Sequence, residues 1–138
     1  MNEDEIQQSL LEIKKLSETA VQEFNKLCDF NFGYDAESVI WTEGFIERQR
    51  KEKKYAGAVP EGLVNVIGSY LGECIIKVTN GVWKWDEKQK DWSILFQSGC
   101  SAFPFVKVWK QFKNGTEGGE SIASFFNIAL NYVAKGKM

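Results

Sequence analysis

The sequence of 138 residues contains no histidine. This absence excludes catalytic triads built on an imidazole, histidine metal ligands and an imidazole general base. Cysteine is scarce as well, since Cys28, Cys74 and Cys100 lie far apart and form no CxxC pair. Three isolated thiols without histidine favour neither a structural zinc site nor a disulfide. We therefore expect no bound metal.

Several motifs that define functional classes are missing too. Neither GxGxxG nor GxxxxGK[ST] occurs, so we predict no phosphate-binding loop and no cofactor. A net charge of −2 argues against nucleic-acid binding, which usually requires a strongly basic surface. No apolar run approaches the roughly 18 residues of a membrane span. The start, MNEDEIQQSL, lacks the basic and apolar segments of a signal peptide, and a cytoplasmic protein without a membrane partner is expected.

The composition is typical of a globular protein, with 43% hydrophobic and 26% charged residues. At this length one domain spanning 1–138 is the default prediction. Apolar residues spaced by threes and fours predict a first amphipathic helix over residues 3–28. Packing of one face on the core is favoured, and a coiled coil, with this helix as an extension of the domain, is the alternative.

A second helix is predicted over residues 36–52, with Asp35 as its N-cap. It ends in the basic segment ERQRKEKK, residues 47–54, which carries both arginines of the chain, Arg48 and Arg50. Positive charge at a helix C-terminus interacts favourably with the helix dipole, so a solvated helix end is the preferred interpretation. The alternative is an arginine pair that grips an acidic partner or a phosphate. The residues expected to face inward are Trp41, Phe45 and Ile40.

A third helix should begin at Pro60, which suits a first helical turn. Gly68 and Gly72 are four residues apart and share one side of this helix. Tight packing against a neighbouring element is the preferred explanation for the two glycines. The alternative is that a ligand approaches the bare backbone closely. The predicted apolar face consists of Leu63, Ile67, Tyr70, Leu71 and Cys74.

The stretch after this helix predicts a small antiparallel sheet. Asn80-Gly81 is a strong hairpin signal between the strands CIIKVT and VWKW, and the looser turn DEKQKD leads to a third strand, WSILFQ. Strand alternation places Lys84 and Ser93 on one face, open to water or a partner. The other face is expected to be mainly core and carries Trp83, Trp85, Trp92, Ile94 and Phe96.

Two further helices complete the prediction. The fourth should start at Pro104, end at Gly115 and bury Phe105, Val108, Trp109 and Phe112, with Lys107 on another side. The fifth is expected over residues 120–134. The fold class is therefore α+β, with about five helices packed on a three-stranded antiparallel meander.

The stretches GYDAESVIWTEGFIERQR, GLVNVIGSYLGE, GVWKWDE and FPFVKVWK together resemble small bacterial families of domains of unknown function. In those families a helix ending in an LGE-like motif leads into a tryptophan-bearing hairpin and then into a proline-started helix with lysine. The resemblance covers residues 34–126. It implies a bacterial cytoplasmic protein and supplies no catalytic residues.

Enzymatic chemistry has little support in the residues themselves. Glu73 is the most suggestive carboxylate, and Cys100 lacks a histidine to activate it. We therefore predict a non-catalytic protein, in the first place an interaction module, such as an immunity-type protein that binds a toxin or an adaptor. The alternative is a pocket that stacks a sugar or a nucleoside on the tryptophan face, which is disfavoured because that face has mostly apolar neighbours. The candidate binding residues are Arg48, Arg50, Glu73, Trp85 and Lys107.

Overall fold

The computed structural model describes residues 1–52 and 58–136 and has the predicted α+β architecture. Lys53 and Lys54 of the basic segment, and the last two residues of the chain, lie outside the described residues. No helix in the described ranges combines the length and the apolarity needed to cross a bilayer. The elements are α1 (Glu3–Asn25), α2 (Ala36–Arg50), α3 (Glu61–Thr79), β1 (Val82–Asp86), β2 (Asp91–Leu95), β3 (Ser101–Ala102), α4 (Pro104–Asn114) and α5 (Ile122–Ile128), which continues as a π-helix over Ala129–Val133.

The helix ends follow the capping residues of the sequence. Asn2 and Glu5 form a capping box at the start of α1, and the Asp35 carboxylate accepts a hydrogen bond from the Ser38 amide at the start of α2. Pro104 occupies the first turn of α4, and Gly115 ends it with a φ of 72°. The predicted boundaries of α2 and α4 are therefore correct to within two residues, whereas α1 ends three residues early.

The strand predicted over residues 74–79 does not exist. These residues form the last turns of α3, and Asn80 caps the helix in the left-handed conformation, with a φ of 61°. The Asn80 amide donates to the Ile76 carbonyl, and the Thr79 hydroxyl donates to the Ile75 carbonyl. Positive φ serves a helix C-cap as well as a hairpin turn, so Asn-Gly fits both structures and the hairpin prediction was wrong here.

A three-stranded antiparallel meander is nonetheless present, in the order β1-β2-β3, and the unpredicted strand β3 takes the place of the strand expected over residues 74–79. Its first turn lies between β1 and β2, at the segment that the sequence marked as a looser turn. In this register Trp83 is opposite Ile94 and Trp85 is opposite Trp92, so the aromatic side chains share one face as expected. The prediction that Ser93 is open to water was wrong: it is buried, and its hydroxyl donates to the Lys84 carbonyl.

The core is centred on α3, whose Ile67, Tyr70, Leu71 and Ile75 have no exposed surface. Helix α1 packs along α3 and contributes Ala20 and Phe24 to the same cluster. The Phe24 ring contacts those of Trp41 and Phe45 at centroid distances of 5.3 and 4.8 Å, which joins α1 to α2. Ile40 was expected to face inward, but it is 61% exposed.

A buried glutamine attaches α5 to the rest of the fold. The Gln111 side-chain nitrogen donates to the Glu47 carboxylate at 2.9 Å, and its oxygen accepts from the Ile122 amide at 2.8 Å. The Glu43 carboxylate accepts from the Ser121 hydroxyl and the Ala123 amide beside it. The free amides at the start of α5 are thus satisfied from α2 and α4, which explains how a helix of seven residues holds its position.

Candidate functional site

A cleft of about 570 Å³ opens between α1, α3, α4 and the start of β2. Three aromatic side chains form its apolar wall: Trp92, Phe105 and Trp109. Trp92 is 8% exposed, and Trp109 is 43% exposed at the mouth. The volume is within the range of small-molecule sites, and aromatic walls with a few polar groups are typical of them.

Ser69 lies at the floor of the cleft. Glu61, Asn65 and Ser69 are spaced four apart on α3, so their side chains point to the same side of the helix, and all three line the cleft. Ser69 has no exposed surface, and its hydroxyl has no hydrogen-bond partner among the residues that the structure describes. A buried hydroxyl without a partner is costly, so this atom needs an explanation.

Other hydroxyls in the same helical setting do find a partner. Thr19, Thr42 and Thr79 each donate to the carbonyl four residues earlier in their helix, at 2.7 to 3.0 Å. The corresponding partner of Ser69 would be the Asn65 carbonyl, and that bond is not made. Its hydroxyl therefore has unused hydrogen-bonding capacity within the described residues, at a position that lines the cleft.

The charged residues of the cleft are all acidic. Glu12 comes from α1, Glu61 from α3 and Asp91 from β2, and no lysine or arginine is found among the described lining residues. Burial raises the pKa of the Asp91 carboxyl, although one of its oxygens accepts from the Trp92 amide at 2.8 Å. Across the described ranges, no three acidic or thiol side chains come together closely enough to hold a metal ion.

The candidate binding residues do not form one site, and none of them lines this cleft. Arg50 is engaged inside the protein: it donates to the Phe112 carbonyl at 3.1 Å and pairs with Glu47 and Glu117, each at 3.0 Å. The solvated-end interpretation was therefore wrong for Arg50, which ties α2 to the end of α4. Arg48 is exposed and lies over the Trp41 ring at 5.3 Å.

The other three candidates also have contacts within the fold. The Glu73 carboxylate accepts a hydrogen bond from the Trp83 indole at 2.8 Å. Lys107 pairs with Glu120 in the segment before α5. Trp85 packs edge-on against Trp92 with ring centroids 5.8 Å apart, and its indole N–H is buried without a hydrogen-bond partner in the described part of the chain.

The paired glycines of α3 serve packing. A side chain at position 68 would meet the ring of Phe105, and one at position 72 would meet the ring of Trp83. These two rings lie directly on the helix backbone and bring α4 and β1 against α3. Close approach of a ligand to this backbone is therefore ruled out at both positions.

The thiols offer no reactive group that the fold visibly activates. Cys28, Cys74 and Cys100 form no disulfide. Burial raises the pKa of the Cys74 thiol to about 12, which keeps it protonated at neutral pH. Cys74 thus acts as a small apolar side chain of the core, as its neighbours in the sequence indicated.

Sequence reasoning missed most of the cleft. Trp109 was assigned to the buried face of α4, but it lies at the cleft mouth, and Gln111 takes the buried position in its place. The polar residues that line the cleft with Trp92 come mostly from α1 and α3, which are far from β2 in sequence. The sequence of the strands therefore did not indicate them. The one available signal was the spacing of polar residues at positions 61, 65 and 69, on a helix otherwise rich in apolar residues.

Arg50 is engaged inside the fold and Arg48 is exposed, and this difference can be tested by mutation. Arg50→Gln is expected to lower the free energy of unfolding by about 1–2 kcal/mol, because it removes the hydrogen bond to the Phe112 carbonyl of α4 and the ion pairs with Glu47 and Glu117. Arg48→Gln is expected to change it by less than about 0.5 kcal/mol, because Arg48 is exposed. Denaturant unfolding of both variants measures the difference, and equal small effects would contradict the structural role of Arg50.

Comparison with known proteins finds no match to a family model, to a curated protein or to a solved structure. The resemblance to bacterial domains of unknown function stays an interpretation of the sequence. The cleft geometry is therefore the main basis for a functional conclusion.

Proposed function

We propose that this protein is a small-molecule binding domain whose ligand occupies the cleft between α1, α3, α4 and β2. The observation that carries the proposal is the buried, unpartnered hydroxyl of Ser69 at the floor of a cleft walled by Trp92 and Trp109. A ligand that hydrogen-bonds to this hydroxyl removes the cost of leaving it unsatisfied. No catalytic role is proposed for the surrounding side chains.

The sequence favoured an interaction module because the tryptophan face has mostly apolar neighbours. In three dimensions Trp92 lines the same cleft as polar residues from other elements, namely Ser69 and Asn65 of α3 and Glu12 of α1. The reason for disfavouring a ligand pocket therefore does not hold for this ring. Location in a bacterial cytoplasm stays part of the proposal, and three cysteines without a disulfide are compatible with it.

A thermal-shift screen with sugars, nucleosides, amino acids, amines and organic acids tests the binding function. Asn65→Trp places a large ring at the cleft mouth from an exposed position, and Gln22→Trp makes the same change on an exposed part of α1 outside the cleft. At least one class of compound should raise the Tm of the wild type and of Gln22→Trp, but not of Asn65→Trp. A screen in which no compound responds to the blocking substitution would remove the proposal.

Ser69→Ala provides a second test that separates binding from folding. Removing an unsatisfied buried hydroxyl should leave the stability of the free protein unchanged or raise it slightly. The same substitution should weaken any ligand found in the screen. If Ser69→Ala instead destabilises the free protein and leaves ligand affinity intact, the hydroxyl is a structural group.

A second candidate function is the predicted interaction with another protein, such as a toxin or an adaptor. It is favoured by the exposed surface of α2, where Ile40 is 61% exposed and the Arg48 guanidinium lies over the Trp41 ring. Exposed apolar residues next to tryptophan and arginine are common anchors of protein interfaces. Because Arg50 is paired internally, Arg48 is the arginine available to an acidic partner.

The double substitution Ile40→Glu with Arg48→Gln tests this surface. A partner recovered with the wild-type protein should be lost with the double variant and retained with Arg50→Gln, which changes an internal contact instead. Quantitative pull-down followed by mass spectrometry measures the difference. Recovery of the same partners by all three proteins would exclude the exposed surface of α2 as the contact site.

A further inference from the structure

The cleft carries negative charge at three separate places around its mouth. Glu12 and Glu61 are exposed, and Asp91 is half-buried next to Trp92. None of these carboxylates has an ion pair within the described residues. As far as the structure describes its lining, the cleft is acidic and contains no positively charged side chain.

The carboxylates are too dispersed for a metal ion. They belong to α1, α3 and β2, and no group of three acidic side chains in the described part of the chain comes together around one ion. A ligand that neutralises them has to extend from one carboxylate to another. The rings of Trp92, Phe105 and Trp109 line the same cleft, and aromatic rings favour an apolar chain and attract cations to their faces.

Resting on the binding function proposed above, we infer that the ligand is an organic amine with at least two positive charges on an apolar chain, a diamine or a polyamine. Its ammonium groups bind the carboxylates of Glu12, Glu61 and Asp91, and its methylene groups pack on the aromatic wall. The Ser69 hydroxyl accepts a hydrogen bond from an N–H group that reaches the floor. Sugars and nucleosides carry no positive charge that could pair with these carboxylates.

The probes are 1,4-diaminobutane and spermidine, measured by isothermal titration calorimetry at moderate ionic strength. 1,4-Butanediol has the same chain without charge, and succinate has the opposite charge. We expect the amines to bind with a Kd below about 1 mM, and the diol and the diacid to show no measurable binding. Binding should weaken with added salt, because exposed charges are screened.

Charge-removing variants locate the binding site. Exposed ion pairs are weak, so Glu12→Gln or Glu61→Gln alone should reduce affinity up to about fivefold. The triple variant with Asp91→Asn should reduce it at least about tenfold. Asp91 is directly opposite Asp86 in the sheet, so removing one of two like charges should not harm folding.

A matched control distinguishes the cleft from the acidic surface in general. Glu18→Gln with Glu23→Gln removes two exposed carboxylates of α1 that do not line the cleft, and amine affinity should be unchanged. Equal losses in the triple variant and in this control would mean non-specific attraction and overturn the inference. A neutral compound that binds, is blocked by Asn65→Trp and is unaffected by the triple variant would overturn the amine class but keep the binding function. Amines whose binding does not respond to Asn65→Trp would overturn the amine class alone, and both proposals fail if no compound of the thermal-shift screen responds to it either.

Discussion

Replacing Trp83 by alanine is expected to lower the free energy of unfolding by about 3–5 kcal/mol, the range for truncation of a large core side chain. The Trp83 ring lies on α3 at Gly72 and packs against Phe105 at a centroid distance of 5.7 Å. Its indole donates to the Glu73 carboxylate at 2.8 Å. The substitution therefore leaves a cavity between the sheet, α3 and α4 and also removes a hydrogen bond. A loss of this size approaches the whole stability of many small domains.

The matched control is Trp109→Ala. Trp109 is 43% exposed at the cleft mouth, so the same change of residue type should cost no more than about 1 kcal/mol. Denaturant unfolding of both variants beside the wild type measures the contrast. A Trp83→Ala protein within about 1 kcal/mol of the wild type would show that the tryptophan face is not part of the core.

Gly72→Ala is expected to destabilise the protein by about 3 kcal/mol, at the upper end of overpacking effects. A methyl group at this position would overlap the six-membered part of the Trp83 ring, and the ring cannot move without losing its contacts with Phe105 and Glu73. The same substitution at Gly62 should instead stabilise the protein by about 0.5–1 kcal/mol, because alanine is the better helix former. Gly62 is exposed, and a side chain there would meet nothing within 4 Å.

The cause of the Gly72 effect is tested by combining the two substitutions. If the clash with the Trp83 ring is responsible, Gly72→Ala should cost little once Trp83 is already alanine. The two changes would then be strongly non-additive in a double-mutant cycle. Additive losses in the free energy of unfolding would mean that Gly72→Ala acts on the helix itself. Such a result would contradict the packing explanation.

Local sequence signals predicted the elements whose ends depend on their own residues. Asp35 caps α2, and Pro104 and Gly115 bound α4, because capping and fixed φ act within a single turn. Asn80-Gly81 was wrongly predicted to form a hairpin turn, because a positive φ at Asn80 fits a helix C-cap as well as a hairpin turn. Only the packing of Cys74 and Ile75 into the core shows that the helix continues.

The candidate site was less predictable, since side chains acquire their function from distant neighbours. Arg50 and Lys107 looked available along the chain, but Glu47, Glu117 and Glu120 come to pair with them in the fold. In the sequence, Ser69 was distinguished only by its spacing from the polar residues Glu61 and Asn65 on an otherwise apolar helix. Its lack of a partner became visible only when α1, α3 and α4 were placed around it.

The sequence by itself determined the α+β class, the order of most elements and the shared face of the tryptophans, because helical spacing, strand alternation and capping are properties of neighbouring residues. The tertiary structure alone decided which rings are covered, which charges are paired and where a cleft remains. These properties depend on contacts between residues far apart in the chain, such as Glu12 with Asp91 around one cleft or Glu47 with Gln111 in one hydrogen bond. No periodicity in the sequence encodes such distances, and they arise only when the helices pack.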